Sequence, residues 1–213
     1  MFRCWASVIL ALIVTATYVT SLPGSYAIQR RASKCNGYQD LCNRKYSNVT
    51  HIGAHDSFAV GKLGSLGSNQ EANVTVQLED GIRLLQIQTH ASSGHQDSNP
   101  SGLSLCHTSC ALKNGGTLES YLRQVKQFLD QNKNEIVTLV ITNPDNKPVS
   151  NFAKAFENTG LNSMAYRANS NSISKNDWPT LQELISQNQR VVVFLDYKAD
   201  VNQACLLYTS PSP

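Results

Sequence analysis

The sequence predicts an α/β protein built as a TIM (β/α)8-type barrel, with only about the first five strands present. Short runs rich in Val, Ile and Leu alternate with amphipathic stretches, and such alternation of strands and helices indicates a parallel sheet. Several runs are almost continuously apolar, as in strands that are buried on both faces. Polar side chains end the runs, and that is where a βα barrel keeps its chemistry.

Five apolar runs are predicted as strands. In chain order they are VTHIGAH, IRLLQIQTH, GLSLCHTSC, EIVTLVITN and RVVVFLDY. An open doubly wound sheet would place polar residues similarly, but it usually has a glycine-rich phosphate turn after its first strand, and none follows here. A complete barrel has about 250 residues. The chain has 213 residues and is therefore expected to be a C-terminally truncated fragment of a barrel.

The amphipathic stretches between the last three runs are predicted as helices. In TLESYLRQVKQFLDQNK, the residues Leu118, Leu122, Val125 and Leu129 recur at helical spacing, and Thr117 stands where a cap is expected. The stretches SNFAKAFENTG and TLQELISQN show the same pattern.

The two ends of the chain are predicted to lie outside the barrel. Residues 1–27 combine a basic start, the apolar run CWASVILALIVTATYV and small residues before a cleavage position, which is the pattern of a signal peptide. Residues 28–34 are a possible propeptide or linker, in which Arg30-Arg31 is either a dibasic processing site or a pair of solvated charges. The domain is assigned to residues 35–203, and the aperiodic residues 204–213 are assigned to a non-native tail.

Secretion is the localisation that the leader predicts. A membrane anchor is the alternative, but the apolar run is short for a bilayer span and is followed by the helix breaker Pro23. The triplets Asn48-Val-Thr50 and Asn73-Val-Thr75 are N-glycosylation sequons that fit the same compartment, although such triplets also occur by chance. The net charge of +3 is too small to indicate nucleic acid as a partner.

The cysteine count predicts disulfides. Of six cysteines, Cys4 belongs to the leader and Cys205 to the tail. The four that remain are Cys35, Cys42, Cys106 and Cys110. Three pairings are possible in a secreted protein, and short loops favour the two local ones, which join the first cysteine to the second and the third to the fourth. A CxxxC zinc site is the alternative for the second pair, although no histidine–cysteine set with metal spacing supports it.

Polar residues end the predicted runs, at the place where a βα barrel keeps its chemistry. They are His55, Asp56, Gln88, His90, His107, Asn143 and Asp196. His55 and His107 would each end a strand at the same face and so reach one pocket. Two imidazoles suit phosphodiester cleavage, because one takes a proton from the attacking hydroxyl and the other gives one to the leaving oxygen. Asp56 would orient a histidine. The alternative is a hydrogen-bonded core histidine at position 55 and one at 107 that merely neighbours a disulfide.

Five blocks of the chain resemble one family. They are VTHIGAHDSF, QLEDGIRLLQIQTH, LSLCHTSC, GTLESYLRQVKQFLDQNKNEIVTLVITN and DWPTLQELISQNQRVVVFLDYKAD. In order and spacing they are similar to the X region of phosphatidylinositol-specific phospholipase C. The closer resemblance is to the secreted fungal-type branch of the PLC-like phosphodiesterase superfamily, over about residues 35–203.

The resemblance implies a fold, a reaction and site residues. It implies an irregular TIM barrel in which His55 and His107 match the catalytic histidines and Asp56 matches the aspartate beside the first of them. Family members use the inositol 2-hydroxyl as nucleophile and form a cyclic phosphate and diacylglycerol. The barrel then supplies position and charge stabilisation.

The second block departs from the family pattern. Where the phospholipases have an aspartate and then a phosphate-clamping arginine, this chain has Gln86 and Gln88, and Arg83 matches an earlier arginine. Glutamine carries no charge, so transition-state stabilisation is expected to fall by about a few kcal/mol. The strand also lacks the carboxylates that calcium or magnesium requires. A metal shared by His51 and His55 is disfavoured, since a strand separates them by about 13 Å, at roughly 3.3 Å per residue. No metal or other cofactor is therefore predicted.

The remaining polar residues receive weaker assignments. Substrate contacts are predicted for Gln88, Asn143 and Asp196, of which Asp196 would bind a hydroxyl or else cap the following loop. His90 and His95 are expected to be solvated, in or near a polar loop.

Two functions stay open. The first is a metal-independent phosphoric diester hydrolase of lipid metabolism, acting on a phosphoinositide-like or other phospholipid headgroup diester and touching a membrane surface transiently. The second is a non-catalytic barrel that binds such a headgroup but has lost the arginine clamp. The two histidines favour the first function, and the missing arginine favours the second.

Overall fold

A computed structural model of the chain describes residues 32–62, 64–92, 99–168, 170, 173–200 and the backbone of 208–209. The predicted signal peptide, the dibasic pair and His95 lie outside the described residues. The same is true of most of the predicted tail, including Cys205.

Seven strands, four helices and three short 3-10 turns make up the described fold. The strands are β1 Gly53–Ala54, β2 Leu84–Ala91, β3 Leu103–Cys106, β4 Asn114–Thr117, β5 Val137–Thr142, β6 Val191–Leu195 and β7 Tyr208–Thr209. The helices are α1 Val74–Glu79, α2 Leu118–Gln131, α3 Val149–Thr159 and α4 Leu181–Ser186. The 3-10 turns are Gln39–Leu41, Tyr46–Asn48 and Leu161–Met164. All five predicted runs contain a strand, and β4 and β7 are additional.

The strands form one sheet in the order β4-β3-β2-β5-β6-β7, with β1 also paired to β2. The pairs β1–β2, β2–β5, β5–β6 and β6–β7 are parallel, as predicted. The prediction was wrong for β3, which is antiparallel to β2, and β4 is antiparallel to β3. A parallel neighbour needs a crossover connection of about a dozen residues or more, usually a helix, and residues 92–102 are too few to provide it.

Strands β1 and β3 approach each other head-on along one edge of β2. The amino-terminal half of β2 pairs with β1, through Ala54 opposite Leu85. Its carboxyl-terminal half pairs with β3, through Leu105 opposite Thr89. Because the two neighbours run in opposite directions, their carboxyl ends point towards each other beside the middle of β2.

One face of the sheet packs against α1, α2 and α3. The residues that β2, β5 and β6 contribute to this core are all fully buried: Leu85, Ile87, Val137, Leu139, Ile141, Val191, Val193 and Leu195. The predicted apolar positions of α2 meet them and are also fully buried: Leu118, Leu122, Val125 and Leu129. The side chain of Thr117 accepts a hydrogen bond from the backbone N–H of Ser120. The helix, its buried face and its cap are therefore confirmed.

A second, smaller cluster lies on the opposite face, at the amino ends of β5 and β6. Here Val192 packs with Tyr46 and Trp178. The hydroxyl of Tyr46 is 2.7 Å from Oγ1 of Thr138, the second residue of β5. The cysteines of the first disulfide belong to this cluster, so the N-terminal loop is fixed at the end of the sheet where β5 and β6 begin. Within the described parts of the chain, no helix has the length and apolar character to cross a membrane.

Candidate active site

The facing ends of β1 and β3 bring His55 and His107 to one carboxylate. Nε2 of His55 lies 3.3 Å from Oδ2 of Asp56, and Nε2 of His107 lies 3.5 Å from the same oxygen. The side chain of Asp56 is fully buried, whereas those of His55 and His107 are 71% and 25% exposed. Two accessible imidazoles therefore stand in front of one buried carboxylate, which is an arrangement suited to proton transfer.

Among the described residues, the side-chain contacts of the Asp56 carboxylate are all made by one oxygen, Oδ2. Nδ2 of Asn69 donates to Oδ2 at 2.9 Å, beside the two imidazoles. The other oxygen, Oδ1, is buried and has no hydrogen-bond partner among the residues that the structure describes. Both imidazoles therefore face the same oxygen, Oδ2.

The ring of His107 is held at both nitrogens. Nδ1 lies 3.0 Å from the carbonyl oxygen of Gly67. Since a carbonyl oxygen only accepts, Nδ1 carries the proton of this hydrogen bond, and Nε2 is the nitrogen that faces Asp56. The backbone N–H of His107 donates to the carbonyl oxygen of Lys113 at 3.1 Å, which closes the turn between β3 and β4.

Gln86 and Gln88 lie on the face of β2 opposite the helices and anchor the two strand ends that meet there. Oε1 of Gln86 accepts from the backbone N–H of Asp56 at 2.7 Å. Oε1 of Gln88 accepts from the backbone N–H of Thr108 at 2.8 Å. These two glutamines thus hold the backbone of the residues that directly follow His55 and His107.

Two residues of the site have a left-handed backbone conformation. Asp56 has a φ of 43° and Thr108 a φ of 60°. Positive φ is uncommon outside glycine, and for a β-branched residue such as threonine it is strained. Each of these residues directly follows a histidine of the pair, so the strain lies where the two strand ends turn.

A buried hydrogen-bond network fixes the turn after β1 to α1 and α2. The hydroxyl of Tyr121 donates to Oγ of Ser57 at 2.8 Å. The hydroxyl of Ser57 donates in turn to Oε1 of Gln77 at 2.5 Å. Nε2 of Gln77 in turn donates to the carbonyl oxygen of Ser57 at 2.9 Å. Burial raises the pKa of Tyr121, so its phenol remains a donor throughout the neutral range.

A cavity of about 370 Å³ opens beside the histidine pair. It is lined by Gln88, His90, Thr108, Thr142, Pro144 and Asp196. Thr108 links the cavity to the pair, because it directly follows His107. Two of the three residues predicted to contact substrate, Gln88 and Asp196, therefore line one cavity.

His90 belongs to β2 and not to a loop. Its side chain is only 17% exposed, and its Nδ1 lies 3.0 Å from Oδ1 of Asp145. The other oxygen of Asp145 accepts from the backbone N–H of Ala91 at 2.7 Å. This N–H, together with His90, holds the pKa of the Asp145 carboxyl below its usual value. The expectation of a solvated His90 was therefore wrong, because a carboxylate from the loop after β5 holds the ring.

Asn143 is engaged in internal hydrogen bonds. It is buried, and its Nδ2 donates to the carbonyl oxygens of Lys147 and Tyr197 at 2.9 and 3.3 Å. Its backbone N–H donates to Oδ1 of Asp196 at 2.8 Å. Asn143 thus joins the loops after β5 and β6. Asp196 accepts one of these hydrogen bonds and also lines the cavity.

Arg83 lies at the other end of β2 from the histidine pair. Its Nε is 2.8 Å from Oε2 of Glu135, and its guanidinium stacks over the ring of Phe128. It therefore does not bring a positive charge to the histidine pair.

Both short-loop disulfides are present, Cys35–Cys42 and Cys106–Cys110. The second encloses His107 in its loop, so these cysteines are not zinc ligands. The sequon residues Asn48 and Asn73 are both exposed, and Asn73 also caps α1 through its side-chain oxygen. Across the described ranges, no group of three or more His, Cys, Asp or Glu side chains is arranged to hold a metal ion.

Sequence reasoning missed the partners that position the site. Gly67 and Asn69 lie in the stretch GKLGSLGSNQ, whose glycines and serines indicate a turn but no site. Asp145, in the turn-like NPDN stretch, gave only the same kind of signal. Each makes its contact across a long sequence separation, and nothing in the local pattern encodes such a contact.

The chain matches one protein family. The model of the PI-PLC X domain family, described as PI-PLC X 1, matches residues 41–209. The match extends past residue 203, where the domain was predicted to end, and includes β7. PI-PLC X domain-containing protein 1 of Arthroderma benhamiae is 42% identical over 195 residues, which cover 91% of this chain and 59% of the relative.

A second Arthroderma benhamiae protein is named "Uncharacterized secreted protein". It is 45% identical over 166 residues, which cover 78% of this chain and 36% of the relative. Its name confirms the predicted secreted localisation. The chain thus spans between about a third and three fifths of the length of these relatives.

Solved structures show the same fold. Phosphatidylinositol-specific phospholipase C from Listeria monocytogenes is 17% identical, with a TM-score of 0.52 over 74% of this chain and 54% of that chain. A phosphatidylinositol-specific phospholipase C from Staphylococcus aureus is also 17% identical, with a TM-score of 0.58 over 80% and 55%. The described sheet and helices are therefore a mixed α/β fold similar to these enzymes. Since the family model matches most of the chain, the protein belongs to the PI-PLC X domain family.

Proposed function

We propose that the protein is a phosphoric diester hydrolase of the phospholipase C type, acting on a phosphoinositide-like or other phospholipid headgroup diester in lipid metabolism. The observation that supports this most directly is the convergence of His55 and His107 on Oδ2 of Asp56, at 3.3 and 3.5 Å. The family and the fold agree with it. Contact with the surface of a membrane that contains the lipid is part of the same proposal.

In the proposed mechanism, His55 is the base and His107 is the acid. His55 takes the proton of the attacking hydroxyl as its oxygen bonds to phosphorus, and His107 gives a proton to the leaving oxygen as that bond breaks. Both nitrogens of His107 face acceptors, the carbonyl oxygen of Gly67 and the carboxylate of Asp56, as a doubly protonated ring requires. His55 is the more exposed ring and is accessible to a substrate hydroxyl.

Substitution of the two histidines tests this mechanism. His55→Ala and His107→Ala should each lower kcat on phosphatidylinositol vesicles by about 10²–10⁴-fold. The double variant should lose little more, because the two rings act as a unit. His51→Ala is the control, since His51 packs against Tyr46 in the second cluster and should leave kcat unchanged. If either single variant of the pair keeps the rate of the parent, the mechanism fails.

The proposed reaction uses no metal ion. On β2, the family positions closest to the pair hold the amides of Gln86 and Gln88, whereas calcium and magnesium prefer carboxylates. EDTA should therefore leave the rate unchanged at all concentrations, and added Ca²⁺ should not restore or raise it. A rate that falls with EDTA and returns with a divalent cation would contradict this part of the proposal.

A non-catalytic headgroup-binding barrel is the second candidate, and Gln88 is the observation that favours it. Its oxygen anchors the backbone of Thr108, and its side chain adds no positive charge to the cavity. Gln88→Arg would add the charge but remove the acceptor, so Gln88→Met, which only removes the acceptor, is the matched control. A higher rate in Gln88→Arg than in Gln88→Met would indicate an enzyme limited by the missing charge. If neither variant cleaves the diester, and the parent binds inositol phosphate without cleaving any diester, the binding function is supported instead.

A further inference from the structure

One short segment, Gly67–Gln70, contacts all three residues of the histidine–aspartate site. The carbonyl oxygen of Gly67 lies 3.0 Å from Nδ1 of His107. Nδ2 of Asn69 donates to Oδ2 of Asp56 at 2.9 Å. Nε2 of Gln70 donates to the carbonyl oxygen of His55 at 2.6 Å. The segment therefore holds both strand ends and the carboxylate between them.

The segment is itself fixed to the turn that follows the site. The backbone N–H groups of Asn69 and Gln70 donate to the carbonyl oxygen of Ala59 at 2.9 and 3.2 Å. The backbone N–H of Gly61 donates to the carbonyl oxygen of Gln70 at 2.9 Å. These bonds fix Asn69 and Gln70 to the backbone of residues 59–61, so the segment is a fixed support for the histidine pair.

Gly67 is a position that only glycine fills without strain. Its φ is +72°, and a Cβ added there would lie 3.0 Å from Cβ of Lys113 and 3.1 Å from Cγ of Leu112. This close approach brings its carbonyl oxygen within reach of the His107 ring. The contact thus depends on the packing of the segment against the turn between β3 and β4.

Asn69 makes the shortest contact to the oxygen that both imidazoles share. Its amide proton bonds to Oδ2 of Asp56 at 2.9 Å, whereas the two ring nitrogens lie at 3.3 and 3.5 Å. An amide cannot exchange roles with the rings, because it neither gains nor loses a proton in the neutral range. It therefore fixes the orientation of the carboxylate without taking part in proton transfer.

We propose that Gly67–Gln70 is the positioning segment of the acid–base pair, and that Asn69 is the residue that aligns the Asp56 carboxylate with both imidazoles. This inference rests on the proposed function for its effect on turnover. Its structural part is independent of turnover. In this part, Asn69 orients the carboxylate that both rings face, and Gly67 holds the ring of His107 alone. Asn69 is a positioning residue in this proposal, because it touches the carboxylate and not the reacting atoms.

Two substitutions at Asn69 separate positioning from simple stability. Asn69→Ala removes the donor and should lower kcat on phosphatidylinositol by about 10–100-fold while KM stays within about twofold. Asn69→Asp keeps the shape but places a carboxylate next to Oδ2. It should be at least as slow at neutral pH, and should regain activity relative to the parent as the pH falls, because a protonated carboxyl can donate again. The titratable and charged groups around Asp56 in this test are His55, His107 and the amine of Lys113, which contacts the neighbouring carbonyl of Val60.

Asn188→Ala is the matched control. Asn188 is also an exposed asparagine whose side chain makes a hydrogen bond of similar length, 3.0 Å, to Nε of Arg190. This bond lies next to β6 and away from the histidine pair. Thermal unfolding should report similar or larger losses of stability for this variant than for Asn69→Ala, with kcat unchanged.

Long-range ¹H–¹⁵N spectra of the imidazoles test the inference without turnover. In Asn69→Asp the ¹⁵N resonances of both rings should change together, because a second carboxylate adjoins the oxygen that the two rings share. In Gly67→Ala, only the spectrum of His107 should change. If the resonances of both rings are the same in every variant as in the parent, the segment has no positioning role and the inference is overturned. If the rings respond as expected but the parent cleaves no phosphodiester, the proposed function fails and the positioning role stands.

Discussion

At the scale of single residues, Thr108 has a strained backbone conformation next to His107. Its φ of 60° is held by the bond from its N–H to Gln88, while its side chain is exposed. A left-handed residue other than glycine typically stores about 1–3 kcal/mol. The strain is therefore removable without loss of a packed side chain.

Replacing Thr108 by glycine is expected to stabilise the protein. Thr108→Gly should raise the free energy of unfolding by about 1 kcal/mol, because relief of strain exceeds the added entropy of the unfolded chain. Thr108→Ala is the control, since alanine keeps the unfavourable φ and should give no gain. Urea unfolding measures both. Equal stabilities of the two variants would mean that the conformation of residue 108 stores no strain.

His51 shows how burial without an ionic partner makes a histidine sensitive to acid. Burial lowers the pKa of its imidazole, an effect opposed only by a hydrogen bond with the backbone of Tyr46. The unfolded chain therefore binds this proton more readily than the folded one. The stabilising effect of the neutral ring is complete above the unfolded pKa of about 6.5 and is lost as the pH falls towards the folded pKa.

Removal of the imidazole should weaken this acid sensitivity. His51→Phe keeps a ring beside Tyr46, and its free energy of unfolding should fall less between pH 7.5 and 5.5 than that of the parent. Urea titrations at the two pH values provide the comparison. An unchanged fall would assign the acid sensitivity to other groups.

At the scale of elements, the sequence predicted which segments form strands and helices better than it predicted their directions. The buried face of α2 and its Thr117 cap follow from side-chain spacing, and both are observed. The direction of β3 could not be read from LSLC, because strand periodicity is the same for a parallel and an antiparallel partner. The strand β4, NGGT, has no apolar pattern, and in the described sheet it pairs with β3 alone.

The structure brings the predicted residues His55, Asp56 and His107 together, but by an arrangement of strands other than the predicted one. His55 and His107 were expected to meet because parallel strands end at one edge. They meet because β1 and β3 run towards each other along β2. The contacts made by Asn69, Gln86 and Gln88 depend on this arrangement, and so no local pattern could have indicated them.

The network of Tyr121, Ser57 and Gln77 allows α2 to influence the site. Tyr121→Phe removes the donor to Ser57, which directly follows Asp56, and should cost about 1–2 kcal/mol of stability. We expect kcat to fall at the same time, because the turn that holds the carboxylate is no longer fixed to the helix. Steady-state kinetics and urea unfolding measure the two effects.

Tyr46→Phe is the matched control for this prediction. Tyr46 is a second buried tyrosine with one side-chain hydrogen bond, to Thr138 in the cluster at the amino ends of the strands. This variant should lose similar stability and keep its kcat. A loss of activity in both variants, or in neither, would contradict a specific role for Tyr121.

At the scale of the whole molecule, the two disulfides lie in different parts of the fold. Cys35–Cys42 belongs to the cluster beneath the amino ends of β5 and β6. Cys106–Cys110 closes the loop that contains His107. One short cross-link therefore lies in the second hydrophobic cluster, and the other lies at the candidate site.

Removing the disulfides one at a time should separate stability from activity. The Cys35→Ser/Cys42→Ser and Cys106→Ser/Cys110→Ser double variants each open a short loop, and each should lose about 2 kcal/mol by the chain-entropy model. Only the second should lose activity beyond what its stability explains, since it frees His107. Thermal melts combined with kcat at a temperature where both variants are folded provide the test. Comparable activities of the two variants would contradict it.

The reversed direction of β3 has a consequence for how such a protein can change over evolutionary time. His55 stands on the parallel framework, where an inserted or deleted residue would shift register. His107 stands on a hairpin that joins this framework along one edge only, and the tip of that hairpin, residues 107–113, makes no pair within the parallel sheet. Insertions or deletions at that tip can therefore change the surroundings of His107 while the parallel strands keep their register, so the hairpin is the part of the candidate site that tolerates such changes best.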